Sequence, residues 1–542
     1  MPAIPLISSG GTALPAEFDV VSVDIVREAN KIPYARIMLA DGDIPAGKFP
    51  ALDSDSLAPG KEIEIKVRVG DEVTDLFKGL VVRLEMQLAG GRPQLCVDCK
   101  DKALKLTSPR RSAIYADGTD GDAVAAILRR ASLDAGDLPL EQSQPALVQY
   151  DASDWDFIES RAEAGGSVVL VKDGTLSIAP LSVSGSSVLS LQLGIDPIDD
   201  FELELDASNQ HGDVTAIGWD PAEGAPTDPA QAKALELAQG NVDPADVAQS
   251  LGLDDEALEH LVPSSSGELK AWASARLAHT RLAMVRGRLA IGGTGDLQLM
   301  DLVELAGFGD RFDGNALVTG LRHTIDGGGW RTDIRLGLPP DLFARNEDIL
   351  AIPAQGLLPA ARALSIGIVA DYSDDPDGEY RVKVELPGVA GGEKNLWARL
   401  ASPEAGGKRG YFFRPDAGDE VVLGFLADDP RKPVILGALF SSKNKPPDKF
   451  SNLSSDNIAK GFCTKHGISL ELSDKDGKTV IRLKTPKAML RIDDDKGEIS
   501  LSDGNSNSIL MSKDGIEIKS GKDFKLEAKG KVTLKGASID AN

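Results

Sequence analysis

Gly497-Glu-Ile-Ser-Leu-Ser-Asp-Gly504 and Asp514-Gly-Ile-Glu-Ile-Lys-Ser-Gly521 each set two aliphatic residues two positions apart between glycine turns. That spacing puts both side chains on one face of a short strand. The unit recurs as Ile468/Leu470/Leu472, Ile481/Leu483, Leu490/Ile492, Ile499/Leu501, Ile516/Ile518, Phe524/Leu526 and Val532/Leu534. Turns such as Asp476-Gly477, Lys496-Gly497, Lys529-Gly530 and Lys535-Gly536 fall between the strands, and outward positions are mostly Lys, Glu, Ser and Asp. Two apolar residues per strand are too few for a free-standing core. Three chains wound together would bury the rows in a common prism, each Ile or Leu contributing about 1.5–3 kcal/mol. They would also leave no strand edge open. A single-chain solenoid or sandwich is the alternative, and the lack of bulky core residues and of a capping helix favours the prism. Residues 467–542 are therefore expected to form an intertwined triple-stranded β-helix.

Working outward, Tyr380-Arg-Val-Lys-Val-Glu-Leu386 alternates cleanly, and five or six strands, Gly410-Tyr-Phe-Phe413 among them, fall between Leu364 and Leu439. That density fits a small OB-fold barrel over residues 361–442, followed by a stiff polar neck at 443–466. Residues 1–115 read as a first β-barrel, in which Ile63, Ile65, Val67 and Val69 share one strand face. Residues 116–209 read as an α/β insert. It has helices at Asp120–Ala131 and at Asp154–Ala164, the second stopped by Gly165-Gly166, and a hairpin turning at Asp173-Gly174. Residues 210–360 read as a second, related β-barrel with a long helix at Ser266–Ala283 and an acidic, helical surface excursion at 226–262. The expected class is mainly β with some α.

The 542 residues exceed what one core serves, roughly 250–300. The net charge of -25 is uneven: residues 443–542 hold 19 Lys+Arg against 15 Asp+Glu, leaving 40 against 69 in residues 1–442. Such a polyanion is a poor phosphate binder, so no nucleic-acid partner is expected. No apolar run nears the roughly 18 residues of a membrane span, and the first residues lack the features of a signal peptide, which implies synthesis in the cytoplasm. Cys96 and Cys99 sit three apart on a strand, so their thiols point to opposite faces and make no zinc pair; Cys463 stands alone. His211, His260, His279, His323 and His466 are scattered. Asp474-Lys-Asp-Gly477 and Asp493-Asp-Asp495 read as turns rather than calcium loops. Neither a nucleophile elbow nor a Walker A run is present. No catalytic residue, metal or cofactor is expected.

One longer pattern carries a resemblance. Trp397-Ala-Arg-Leu-Ala-Ser402 is followed by Gly410-Tyr-Phe-Phe-Arg-Pro-Asp-Ala-Gly-Asp-Glu-Val-Val-Leu-Gly-Phe425 and Asp428-Asp-Pro-Arg-Lys-Pro-Val-Ile-Leu-Gly437. Trp397, Phe413, Pro415, Gly418, Asp419, Glu420, Gly424, Phe425, Pro430, Pro433 and Gly437 resemble the collar signature of spike proteins of contractile injection systems. That family includes the VgrG proteins of type VI secretion, the hub-spikes of contractile phage tails and the spikes of extracellular injection systems. Ser108-Pro-Arg-Arg-Ser112 and the aromatic helix at Asp154 add support. Physically, Gly418-Asp419 reads as a turn, and Gly424 and Gly437 as positions of close strand crossing.

The resemblance implies a two-barrel hub, an OB collar and a C-terminal needle in a homotrimer, with six barrels adapting a sixfold tube to a threefold needle. It implies inner tube and baseplate proteins at the hub, a PAAR-type tip protein at Ile539, Asp540, Ala541 and Asn542, effector cargo, and transient contact with a target membrane. It also implies loading into a particle that is ejected or released. The rivals are a β-helical glycan-degrading enzyme and a phage-tail adhesin. The first needs paired carboxylates in a groove. The second should expose aromatics along the needle, where residues 467–542 hold only Phe524.

Overall fold

Strict alternation turns Ile63, Ile65 and Val67 inward from the strand Glu62–Val69 and leaves Glu62, Glu64 and Lys66 half-buried. In the computed structural model, which describes residues 2–349, 351–389, 393–451, 457–475 and 478–540, this strand belongs to a 13-stranded sheet. The chain divides into two compact units, Met1–Ala351 and Ile352–Asn542.

In the first unit, strands Ala3–Ser9, Asp19–Glu28, Tyr34–Ala40, Glu62–Val69, Glu72–Ala89 and Arg92–Lys100 cover a core that includes Ile25, Ile37, Leu39, Ile63, Ile65 and Leu95. Cys96 and Cys99 are buried free thiols on the last of these strands. Gly90 and Gly91 both take positive φ in the tight turn that joins the last two. The strand Asp19–Glu28 then pairs with Gly314–Asp326, setting Arg27 opposite Leu321 and Ile25 opposite His323. The sheet runs on through Gly329–Leu336, Val285–Gly292 and Ile198–Leu205. A second core, including Leu289, Val303, Val318, Leu321 and Ile334, lies under that half.

Two cores are therefore present, but under one continuous sheet rather than in two separate barrels. Joining them pairs strand edges that separate barrels would each have to protect. The guanidinium of Arg322 clamps both carboxylate oxygens of Asp24 across the seam at 2.7 and 2.9 Å. The strands Leu189–Gln192 and Ile198–Leu205, within the span read as insert, belong to this second half.

A third core holds the insert. Helix α1 (Asp120–Ala131) starts at a reciprocal capping box between Thr119 and Asp122 and buries Val124, Ile127 and Leu128. Helix α2 (Asp154–Ala164) is capped by Ser153, ends at Gly165 and buries Trp155, Phe157 and Ile158. Arg161 of α2 donates two bonds to the buried Asp120 carboxylate, at 3.0 and 2.7 Å. The hairpin Ser167–Lys172/Thr175–Pro180 turns at Asp173 and Gly174, both with positive φ.

The excursion at 226–262 is not the helical segment its composition suggests. Helix α3 spans only Pro244–Leu251. Ala230–Gln231 and Glu256–Glu259 are extended and flank Val214–Ile217 in a three-stranded sheet, and α4 (Ser266–Leu282) packs on the same core. Leu235 and Leu237 pack against Leu282 and Leu302, so the segment does have a packing role. Pro226, Pro229 and Gly240 interrupt any longer helix, and the open edges of Val214–Ile217 supply the ladder.

In the second unit, Ser365–Val369, Val382–Glu385, Asn395–Leu400, Pro433–Ala438 and Glu420–Phe425 close into a five-stranded barrel around Val369, Val384, Ala398, Val421, Leu423 and Ile435. The stretch read as a strand at Gly410–Phe413 contributes only Arg409–Gly410, in a two-residue ladder with Ala405–Gly406. Seven further strands, Ala459–Cys463, Ser469–Lys475, Lys478–Lys484, Ala488–Asp493, Glu498–Asp503, Ser508–Ser512 and Gly515–Lys519, pair in chain order as an antiparallel meander. Its first strand lies inside the span read as neck.

His323 is buried in the large sheet, with Nδ1 3.0 Å from Thr332 Oγ1 and its ring beside Trp330. Burial, helped by Arg27, pushes its pKa down to about 3. Between the ordinary histidine value and that one, the unfolded chain binds a proton that the fold refuses, so stability falls as pH drops through this window. The slope from this residue is about 1.4 kcal/mol per pH unit. Calorimetry between pH 7 and 4 should therefore show an acid-side loss in the first unit's unfolding temperature that His323→Gln makes shallower; an unchanged slope would remove His323 from the account.

Candidate functional site

The terminal meander sets its apolar residues in register. Leu472, Ile481, Ile492, Ile499, Met511 and Ile516 stand opposite one another across successive strands. So do Phe462, Leu470, Leu483, Leu490, Leu501, Ile509 and Ile518. Cross-strand partners share a face, so these are two parallel ladders on one side of the sheet. Flanking positions on that face, Asp474, Thr479, Asp494, Thr485, Asp503 and Asn507, are polar.

The aliphatic face is the open one. Ile481, Leu483, Ile499 and Leu501 are 43–48% exposed, and Ile516 reaches 69%. The opposite face carries its own contacts: Arg482 reaches Glu471 at 2.6 Å, Arg491 pairs with the buried Asp493, and Val480 is buried. A contiguous exposed aliphatic stripe of this kind marks an interaction surface.

All the residues expected in the needle core are thus placed, but not buried. Ile468 extends the second ladder's flank at 45% exposure. Sequence reading missed Ile509 and Met511, because Ile509-Leu510-Met511 is apolar at three successive positions and hides the alternation. Within the chain, the strands from Ala459 to Lys519 pair with one another as an antiparallel meander. The described residues of 520–540 contain no strand. There Phe524, Leu526, Val532, Leu534 and Ile539 are exposed, with Phe524/Leu526 and Val532/Leu534 still alternating. Asp476-Gly477, Ala541 and Asn542 lie outside the described residues.

The collar signature resolves into turn and ladder roles. Gly418, at φ +88°, donates its N–H to the Val369 carbonyl at 2.8 Å. The Asp419 carboxylate accepts from the Asp416 N–H at 2.8 Å, while its carbonyl accepts from Val369. Together they pin the loop to the strand Ser365–Val369. The Pro415 carbonyl accepts from the Tyr372 hydroxyl. Glu420 and Phe425 bound one strand, and the buried Pro433 opens the next opposite Phe425. The Asp429 carboxylate on one side of Pro430 holds the Arg431 guanidinium on the other at 2.7 Å. The Arg381 guanidinium lies 5.9 Å from the Trp397 ring.

The close-crossing role expected of the two glycines divides. A Cβ on Gly424 would meet Leu436 at 3.3 Å, but one on Gly437 would meet no heavy atom within 4 Å. Gly437 instead adjoins a β-bulge that leaves Leu436 without an opposite residue and 54% exposed. Phe413 lies against Phe462 of the terminal sheet with ring centres 5.6 Å apart, yet it is exposed, as are Tyr411 and Phe412.

The family model of the Alg8 N-terminal domain matches residues 4–327. That of the type VI secretion system/phage-baseplate injector OB domain matches residues 365–440, the span of the closed barrel. The chain is 38% identical over 71 residues to the type VI secretion system spike protein VgrG5 of Pseudomonas aeruginosa, a match covering 12% of this chain and 9% of that protein. It spans under a tenth of the length of the curated relatives it matches. Among solved structures it is similar to the prophage MuSo2 43 kDa tail protein from Shewanella oneidensis. That likeness has 11% identity and a TM-score of 0.48, and covers 62% of this chain and 98% of that one. It is also similar to a type VI secretion component from E. coli, with 15% identity, a TM-score of 0.40, and 80% and 99% coverage.

The two glycine environments give opposite expectations. Gly418→Ala forces an L-residue into left-handed backbone and should cost about 1–2 kcal/mol. Gly437→Ala should leave the barrel's stability within about 0.5 kcal/mol. Denaturant unfolding of the full chain measures both, and equal effects would contradict the turn assignment.

Proposed function

The chain belongs to the Alg8 N-terminal domain family and is a VgrG-like spike protein, and from that premise we propose that three copies form the central, non-enzymatic spike of a contractile injection machine. The observation that carries this is the pair of aliphatic ladders on the open face of the terminal sheet. The stripe is two side chains wide, about 7 Å, and seven strands long, about 30 Å. Three such stripes meeting about an axis fill a narrow prism. Two sheets packed face to face would instead oppose the polar flanks, Asp474 and Asp494 on one side and Thr485 and Asp503 on the other. Burying the exposed half of each Leu or Ile contributes about 1 kcal/mol, repeated along both rows in three chains.

In this reading each chain supplies one face of the prism from Ala459 to Lys519. The alternation at Phe524–Leu534 continues beyond the meander without a ladder in its own chain, so partner strands supply the pairing there and intertwining is confined to that end. The two cores under the hub sheet give six around the threefold axis, which supports docking on a sixfold tube and baseplate. The C-terminal Ile539–Asn542 carries a PAAR-type tip. The role is mechanical: contraction drives a rigid, narrow stem through a target membrane, and cargo travels with the ejected particle.

Light scattering of the intact chain should give three copies, and Ile499→Asp or Leu501→Asp should shift it toward monomer, because three carboxylates would meet inside the prism. A stable wild-type monomer, or a trimer that tolerates both substitutions, would defeat the proposal.

A further inference from the structure

Away from the stem, a cavity of about 690 Å³ opens in the first unit between α2 and α4, bordered by Leu338–Asn346 and by Glu28–Lys31. Its volume falls in the range of small-molecule sites. Helix α2 contributes Trp155, Glu159 and Glu163, each one turn from the last, and α4 contributes Trp272, Arg276 and His279. The bordering loop is tied down where Glu163 accepts the N–H groups of Phe343 and Ala344, at 2.7 and 3.3 Å.

The cations around the cavity face other carboxylates. Arg276 holds Glu256 through two bonds of 2.7 and 3.0 Å. Lys31 and Arg335 both hold Glu28, at 2.5 and 3.0 Å, and Arg345 acts on Glu256. Glu159 has no such partner. It is 4% exposed, takes a bond from the Trp155 side chain, and leaves its Oε2 with no hydrogen-bond partner among the described residues. His279 Nδ1, across the cavity, is likewise unpartnered. A buried carboxyl oxygen without a donor is costly unless a ligand supplies one.

We propose that this cavity binds a primary alkylammonium group, with the Glu159 carboxylate as its counter-ion and Trp155 and Trp272 covering its methylene stem. Aromatic rings beside a carboxylate favour an ammonium with an aliphatic body. Burial first, then the negative charges of Glu163 and Asp156, push the Glu159 pKa up to about 8, against the Trp155 hydrogen bond and Lys31. Burial, aided by Arg276 and opposed by Asp341, holds His279 down at about 4 and therefore neutral. The empty site thus carries a protonated Glu159. Ammonium entry drives that proton off to solvent and leaves a carboxylate–ammonium pair. Affinity should rise by about tenfold from pH 6 to 7 and by roughly fivefold from pH 7 to 8.

The test is tryptophan fluorescence and titration calorimetry on the full chain, using cadaverine as a free polyamine and Nα-acetyl-lysine methylamide as a lysine side chain. Saturable binding with proton release supports the site, and the tighter of the two probes identifies its source. Glu159→Gln should weaken binding at pH 8 at least tenfold and abolish the pH slope, with an unchanged unfolding transition as the control. If that variant does not fold, Trp272→Leu should give a similar loss. Binding of neither probe, undiminished binding by the variant, or equal binding of 1-pentanol and n-pentylamine at pH 8 would overturn the proposal.

Discussion

A β-sheet can satisfy every interior hydrogen bond from its own chain and still be unable to bury its own face. That is the condition of the meander from Ala459 to Lys519. Its ladders are complete, its polar side is laced by pairs such as Glu471–Arg482, and its aliphatic side is open. Register is what makes the open side consequential. A slip by one residue in any strand would turn that strand's Leu and Ile to the polar side, so the two ladders show that the strands from Ser469 to Lys519 all keep one register. Chain pairing therefore sets the shape of the open face, and in the proposed trimer association would rest on apolar burial.

The collar and hub show the same economy of edges. The OB barrel closes on itself, and the turn at Gly418-Asp419 is fastened to Val369 by main-chain bonds in both directions. The hub reaches a comparable end by another route: strand Asp19–Glu28 meets Gly314–Asp326, and two sets of strands become one sheet over two cores. Closure and fusion both remove the open edges that would compete with ordered assembly. The exposed aromatic run Tyr411-Phe412 stays outside the barrel beside the Phe413–Phe462 contact.

Much of this was legible locally. Thr119 with Asp122, Gly165-Gly166 and Asp173-Gly174 are signals whose chemistry acts within a few residues, and α1, α2 and the hairpin fall where those residues put them. The collar signature was legible as turn chemistry, and the alternation after Ile468 as strands. What escaped depends on partners distant in sequence. Nothing near Ile25 says that it will sit opposite His323, so the merged sheet read as two barrels. Glu256–Glu259 is acidic and helix-compatible alone, yet the free edge of Val214–Ile217 draws it into a ladder. Ile509 and Met511 were hidden by Leu510 between them, although register restores them at once. Nothing in the sequence marks Glu159, because only α4 and the Leu338–Asn346 segment, distant in the chain, enclose it.

Charge explains why the aliphatic stripe is free to act. Residues 1–442 carry a large negative excess, while 443–542 are slightly basic. Three copies brought together multiply the repulsion of any surface that is uniformly acidic. The stem avoids this by cancelling charge within each chain. Glu471 lies against Arg482, Asp493 against Arg491, Glu517 against Lys519 and Glu527 against Lys525. The exposed pairs among them, such as Glu517–Lys519, add little stability individually, but in the proposed trimer pairing within each chain would limit like-charge opposition between copies inside the Debye length of about 8 Å. The acidic excess lies in residues 1–442. In the proposed trimer, apolar burial along the two ladders would then act without a like-charge penalty at the same surface.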